Sequence, residues 1–532
     1  MLNTLCAIWS RWRGASTKGG EIHGAILAVS VVVLAIFWKF WTSKNSKKAS
    51  APMPPGPRGL PFFGYLPFLG TNLHWTFTEL AGLYGPIYKL RLGKQLCVVM
   101  SSPSLVREVV RDQDIIFANR DSPIAALAVT YGGNDIAFSP YGPEWRKLRK
   151  VFVREMLGKA SLDACYALRR QEIKKTIRDV YINKVGTPII ISELTLLTVI
   201  NAVMSMVWGG TLQGEKGTNI RAEFRELVTE LMVLLGKPNV SDIFPLLARF
   251  DIQGIEKRMK RISGYCDRIF NSAIDQRMNL DRAKEEGAAK NEQKKDFLQY
   301  LLELKKQEDG AASITLTQLK AMLMDIVVGG TDTTSTVVEW VMTEMMVHPA
   351  VMKKVNEELT EVVGLNKAVE EFHLPKLQYL DAVVKETVRL HPALPLLVPR
   401  CPSQTCNVGG YTIPKGTKIF LNVWAIHRDP QLWDNPLEFR PERFLDDASK
   451  WDYSGNNFQY LPFGSGRRIC AGLPLAERML LYVLASFIHS FEWKLPNGTE
   501  LELSENFGVV MKKRAPLVVI PTPRLFDFEL YA

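Results

Sequence analysis

Ten residues, Phe463-Gly-Ser-Gly466-Arg-Arg468-Ile-Cys470-Ala-Gly472, restrict the fold more than any other stretch of the chain. They set one cysteine in a bend, with glycines on both sides, a phenylalanine upstream and arginines beside it. The run that follows, Leu473-Pro474-Leu-Ala-Glu-Arg-Met-Leu-Leu, is apolar-periodic, with proline where the first turn of a helix tolerates it. Cys470 therefore lies just upstream of a helix N-terminus, where the dipole and free N–H groups favour a thiolate. The glycines let the backbone pass close to a flat ligand. A thiolate held this way suits the axial position of a haem iron, where it donates electron density that favours O–O cleavage.

A second feature fixes what lies opposite. Thr315-Leu-Thr-Gln318 is a capping box, and helix-compatible residues run from it to His348-Pro349. In the middle stands Gly329-Gly330-Thr331-Asp332-Thr333-Thr334. Glycine inside a helix costs on the order of 1 kcal/mol, so this composition predicts a helix that opens there, with a hydroxyl capturing a freed carbonyl. Lys385-Glu386-Thr-Val-Arg389 puts a carboxylate and a guanidinium on one helix face, and Phe439-Arg-Pro441-Glu-Arg443-Phe444 follows. One carboxylate can accept two guanidinium forks as a rigid lock. Trp145 and Arg149, at i and i+4, put two donors on one face, both able to bind a carboxylate.

Together these motifs resemble those of the plant microsomal cytochrome P-450 enzymes, with the residues around them most similar to the clade of cadinene (sesquiterpene) hydroxylase. The resemblance implies a mainly α fold with small β-sheets (α+β) and one long central helix over haem b. It implies Cys470 as the iron ligand in the metal site, with Phe463, Gly466 and Arg468 in the haem-binding loop. Trp145, Arg149 and Arg400 are implied to meet the haem propionates. Thr333 is implied to hydrogen-bond dioxygen, and Asp332 to help deliver two protons. Glu386, Arg389 and Arg443 are implied to be structural. Leu394, Leu396 and Leu397, in the apolar segment His391–Arg400, are substrate-pocket candidates.

The remaining organisation follows from composition. Ile22–Trp41 is apolar enough for a membrane anchor, preceded by 1–21, and the lysines after it place the body in the cytosol. The basic, proline-rich stretch 42–61 reads as a stiff extended hinge, and 62–532 as a single haem-binding catalytic domain. Ile87–Leu92 and Gln95–Met100 alternate around Gly93-Lys94 as a strand–turn–strand; Val408–Thr412, Lys418–Val423 and Pro516–Pro521 also read as strands. The net charge of +11 is spread, without the clustered basic-aromatic face of a nucleic-acid binder. Seven cysteines lack paired spacing, against a disulfide framework or a zinc site. No nicotinamide fingerprint is present, so electrons are expected from a separate NADPH-cytochrome P-450 reductase at the endoplasmic reticulum membrane. The expected reaction turns substrate–H, O2, two electrons and two protons into substrate–OH and water, on a small apolar substrate, foremost a sesquiterpene. A flavonoid or phenylpropanoid hydroxylase, a haem-dependent aldoxime dehydratase and a non-catalytic haem sensor are the alternatives.

Overall fold

Thr315 starts the element that organises the molecule. Its Oγ1 accepts from Gln318 N (3.1 Å), while its own N–H donates to Gln318 Oε1 (3.0 Å), closing the expected box. The helix runs from Leu316 to Val347, about 48 Å at 1.5 Å per residue. His348 ends it, and Pro349 opens the next helix, Pro349–Val362. The computed structural model describes residues 30–32, 51–209, 214–285, 296–306, 313–446 and 450–531.

Three helices pack around this one: Ile191–Trp208, Gln378–Leu390 and Leu473–Ser490. Their apolar faces share one core that includes Val203, Val207, Val338, Val341, Val384 and Val483. Ile191–Trp208 is long and apolar enough to cross a membrane, yet most of it is buried inside this core. The sheets are small, as expected for a mainly α chain. Ile87–Leu92 pairs antiparallel with Gln95–Met100, which pairs parallel with Lys418–Leu421. Val518–Pro523 pairs with Ile189–Ile190 and with Phe491–Lys494.

Three expectations shift. Val408–Thr412 is not one strand: Gly409 and Gly410, at φ 57° and 78°, turn it into a hairpin between Cys406–Val408 and Tyr411–Ile413. Two successive left-handed residues make the tight turn that matches strand twist. The strand at 418 stops at Leu421, and Val423–Ile426 is a short helix. The proline-rich segment, described from Ala51, is stitched to the sheets instead of standing free: Lys89 N donates to Pro55 O and Thr412 N to Pro52 O, 2.8 and 2.9 Å. Of the expected anchor Ile22–Trp41, only Ser30–Val32 fall within the described residues, and they are helical and exposed. The remainder of that span lies outside them.

Candidate active site

The cysteine loop takes its shape from two glycines and one carboxylate. Gly464 and Gly466 sit at φ 73° and 68°, where other residues are strained. A Cβ on Gly466 would lie 2.3 Å from Val110 O. Asp114 accepts from Arg467 N (3.0 Å) and so pins the turn from below. Cys470 N donates to Phe463 O (2.9 Å), closing the loop, and Phe463 meets Tyr453 edge-on. Gly472 caps the helix Leu473–Ser490, so Cys470 stands two residues before that N-terminus, as the sequence indicates.

The Cys470 side chain is open to a probe at its surface, yet protein surrounds it at longer range, as at the floor of a deep cleft. Burial pushes its thiol up; the N–H groups of Gly472 and Leu473 and the Arg149 guanidinium pull it back.

Four arginines converge beside this loop. Arg468 spends Nε, Nη1 and Nη2 on the carbonyls of Ala118, Ile136 and Ser139 (2.6, 3.0 and 2.6 Å) and lies 4.3 Å over the Trp145 ring. Arg149 Nη2 donates to Ile469 O (2.6 Å) and Arg400 Nη2 to Ser465 O (2.6 Å). Arg120 donates to Val398 O and Pro399 O. Burial lowers all four, with Arg468 brought to about 9 and Arg400 to about 10, and mutual repulsion adds to the lowering of Arg120 and Arg468. Asp114, 3.4 Å from Arg400, and Asp135 are the nearby carboxylates, and neither makes a bidentate pair with the cluster. So many partly desolvated cations call for further anionic charge. A flat ligand with two carboxylates, above a thiolate, meets that need; the residues present fit a haem.

Trp145 has a partner within the protein. Its Nε1 donates to Ile136 O (2.9 Å), which also accepts from Arg468, so the indole is already engaged by backbone. The Ile136 N–H in turn reaches Asp325 Oδ2 on the long helix (2.7 Å). Asp325 and Asp135 repel: burial first, then the neighbouring charge, raises Asp325, and burial raises Asp135 to about 6. Neither acid was expected from the sequence, nor was Arg120, a lone arginine in an irregular stretch with no motif around it.

The long helix does not open at its glycines. Leu316–Val347 is continuous, and within it Thr333 Oγ1 donates to Gly329 O (2.6 Å) and Thr331 Oγ1 to Val327 O (2.8 Å). The expected capture of a carbonyl by hydroxyl occurs without unwinding. A Cβ on Gly329 would meet nothing within 4 Å, so that turn faces open space. Asp332 is buried and takes an ammonium, Lys512 Nζ, at 2.6 Å.

The expected lock is present. Glu386 accepts from Arg389 Nε and Nη2 (2.7 and 2.8 Å), from Arg443 Nε (3.1 Å) and from Arg440 N (2.9 Å). The pocket leucines separate. Leu396 is buried against Phe77, Tyr88 and Leu90 under the sheet, so it is core and not pocket lining. Leu394 and Leu397 are half-buried; Leu397 holds φ 50°, rare for leucine, and its side chain packs toward Gly464.

The comparisons agree with this geometry. The family model described as Cytochrome P-450 matches residues 54–520. A flavonoid 3′,5′-hydroxylase of Solanum melongena is 37% identical over 516 residues, 96% of this chain and 98% of that one. A flavonoid 3′-monooxygenase of Crocosmia x crocosmiiflora is 38% identical over 508 residues, 94% and 98% of the two chains. Among solved structures, a zebrafish cytochrome P-450 with abiraterone superposes at TM-score 0.70 and 27% identity, over 86% of this chain and all of that one. These relatives do not support the likeness to a sesquiterpene hydroxylase; flavonoid hydroxylases replace it. The chain belongs to the cytochrome P-450 family, monooxygenases that hold haem with its iron ligated by a thiolate.

Proposed function

We propose that this monooxygenase hydroxylates a flavonoid, with Cys470 as the iron ligand. The observation that carries the site assignment is the convergence of Arg120, Arg149, Arg400 and Arg468 on one side of the Cys470 loop. The substrate class rests on the flavonoid hydroxylases that align over almost the whole chain. Haem supplies the binding and reductive activation of O2. The chain supplies the rest. Cys470 presents sulfur on a loop whose glycines leave room for a flat ring. The arginines neutralise the propionates. Thr333 and Asp332, one turn from the open face at Gly329, are the groups that hold and pass protons. Leu394 and Leu397 border the substrate.

Electrons come from NADPH through a separate reductase, and the chain resides on the endoplasmic reticulum membrane with its catalytic domain in the cytosol. Two features support the membrane assignment. One is the apolar stretch Ile22–Trp41 with lysines after it. The other is an exposed apolar patch, Phe62, Phe63, Leu246, Phe250 and Ile252, joined by the edge-on pair Phe63–Phe244.

The test is reconstitution with reductase and NADPH against flavonoid and terpene panels. A flavonoid product with one added oxygen on its aromatic ring is the expected result. Product from terpenes alone, or turnover without O2, refutes the reading.

A further inference from the structure

Lys512 reaches Asp332 from a distant part of the chain. It belongs to a short hairpin in which Glu505–Asn506 pairs with Lys512–Lys513. The backbone on either side is fixed. Met511 N donates to Ala393 O (2.9 Å), Trp340 Nε1 on the long helix donates to Met511 O (3.1 Å), and Arg514 N donates to Ser504 O (2.9 Å). Lys513 points elsewhere, to Glu502 O. This anchoring delivers one ammonium, Lys512 Nζ, to Asp332 Oδ1 at 2.6 Å. Asp332 is 9% exposed in its side chain and Lys512 48%.

The asymmetry matters. A pair of two exposed ions is screened and contributes little. Here one partner is the buried acid beside Thr333, and the other stands half in water. Lysine has three donors. One is spent on Asp332, and the side chain is 48% exposed, so the others are open to solvent. The ammonium thus fixes the orientation of the carboxylate and links it to bulk water by a single side chain.

We propose that Lys512 is a positioning residue for proton delivery: it orients Asp332 and ties it to solvent, so that the two protons consumed per turnover arrive at the oxygen face. The proposal rests on the reading of Asp332 as the proton-passing acid. When the ammonium is lost, reduced oxygen leaves as hydrogen peroxide, which takes the same two electrons and two protons but leaves the O–O bond uncleaved.

The experiment uses the reconstituted holoenzyme with reductase, NADPH and O2, without organic substrate. It compares Asp332→Asn, Lys512→Met and Lys512→Arg. The readouts are peroxide formed per NADPH, the solvent deuterium isotope effect on O2 consumption, and the reduced-CO band as a check on haem. A further readout needs no turnover: the infrared carboxylate stretch of carbon-13-labelled aspartate in the resting protein, assigned by its loss in Asp332→Asn. Lys512→Met is expected to slow the proton-dependent step by about tenfold, short of the roughly 10²–10⁴ of a whole general acid, to raise peroxide, and to move the Asp332 stretch. Lys512→Arg is expected to restore most of both. If Asp332→Asn leaves peroxide and the isotope effect unchanged, the reading of Asp332 falls. If Asp332→Asn changes them while Lys512→Met does not, or if the stretch stays in place in Lys512→Met, the proposal is overturned and the pair is structural only.

Discussion

Replacing Glu386 by alanine removes the acceptor of four hydrogen bonds from a site with no exposed surface on either Glu386 or Arg389. Arg389 keeps the carbonyls of His427, Pro436 and Glu438 and its place 5.1 Å from the Trp433 ring, so it remains hydrogen-bonded but uncompensated in charge. Arg443 keeps the carbonyls of Asp434, Asn435 and Glu438. Breaking a buried pair by deleting one partner costs about 3–5 kcal/mol. Total stabilities are only about 5–15 kcal/mol, so the loss is a large fraction. At about 2 °C per kcal/mol for a large domain, the unfolding temperature falls by roughly 6–10 °C. The assay is thermal unfolding of the holoenzyme by circular dichroism, with the reduced-CO band recorded in parallel. Glu386→Gln, which keeps one acceptor oxygen but sets an amide N–H2 against guanidiniums, is expected to fall between the two. A shift below about 2 °C with full haem retention refutes the argument, since one kcal/mol is too little for a buried charge lock.

Cys470→Ser is expected to abolish the reduced-CO band of thiolate ligation while leaving the far-ultraviolet dichroism unchanged, because serine is close to isosteric and keeps an acceptor for the Gly472 and Leu473 N–H groups. Gly466→Ala forces a Cβ to within 2.3 Å of Val110 O at φ 68°; the left-handed strain alone costs about 1–2 kcal/mol, and the loop must shift, so haem content per protein should drop. Thr333→Ala takes the hydroxyl donor from the Gly329 carbonyl and is expected to keep the CO band but raise peroxide at the expense of product, measured with the same reductase system. Glu505 gives a pH prediction. Burial alone would raise it, but hydrogen bonds from His391 and His74 and the charge of Arg428 hold it well below the usual carboxylate range. A depressed carboxylate contributes stability above its unfolded value, near about pH 4.3, that is lost as pH falls toward the folded one. Glu505→Gln should therefore unfold more easily at neutral pH and lose less on acidification than the wild type, by pH-dependent melts.

What could be read from the sequence was whatever depends on local spacing. The capping box, the proline stop at 349, the hairpin register around Gly93-Lys94 and the Glu386–Arg389 pair are all within a few residues of one another, and each was legible. The central cluster was only half legible. Arg149, Arg400 and Arg468 come with motifs, but Arg120 does not, and its meeting with them is a product of tertiary folding. Leu396 was misplaced because an apolar residue in an irregular segment looks the same whether it faces a cavity or a sheet. The double glycine at 409 was overlooked as a turn because the apolar residues on each side continue the alternation. The glycines at 329 and 330 suggested an unwound turn, since their cost is local, whereas the packing that holds the whole helix straight is tertiary.

The backbone of Ile136 has one end on Asp325 and the other under Trp145 and Arg468. Two adjoining peptide planes, joined at the Ile136 Cα, thus rivet the long helix to the arginine cluster. Both fastenings end on one residue, so Asp325 and the Arg468 guanidinium share a single tether.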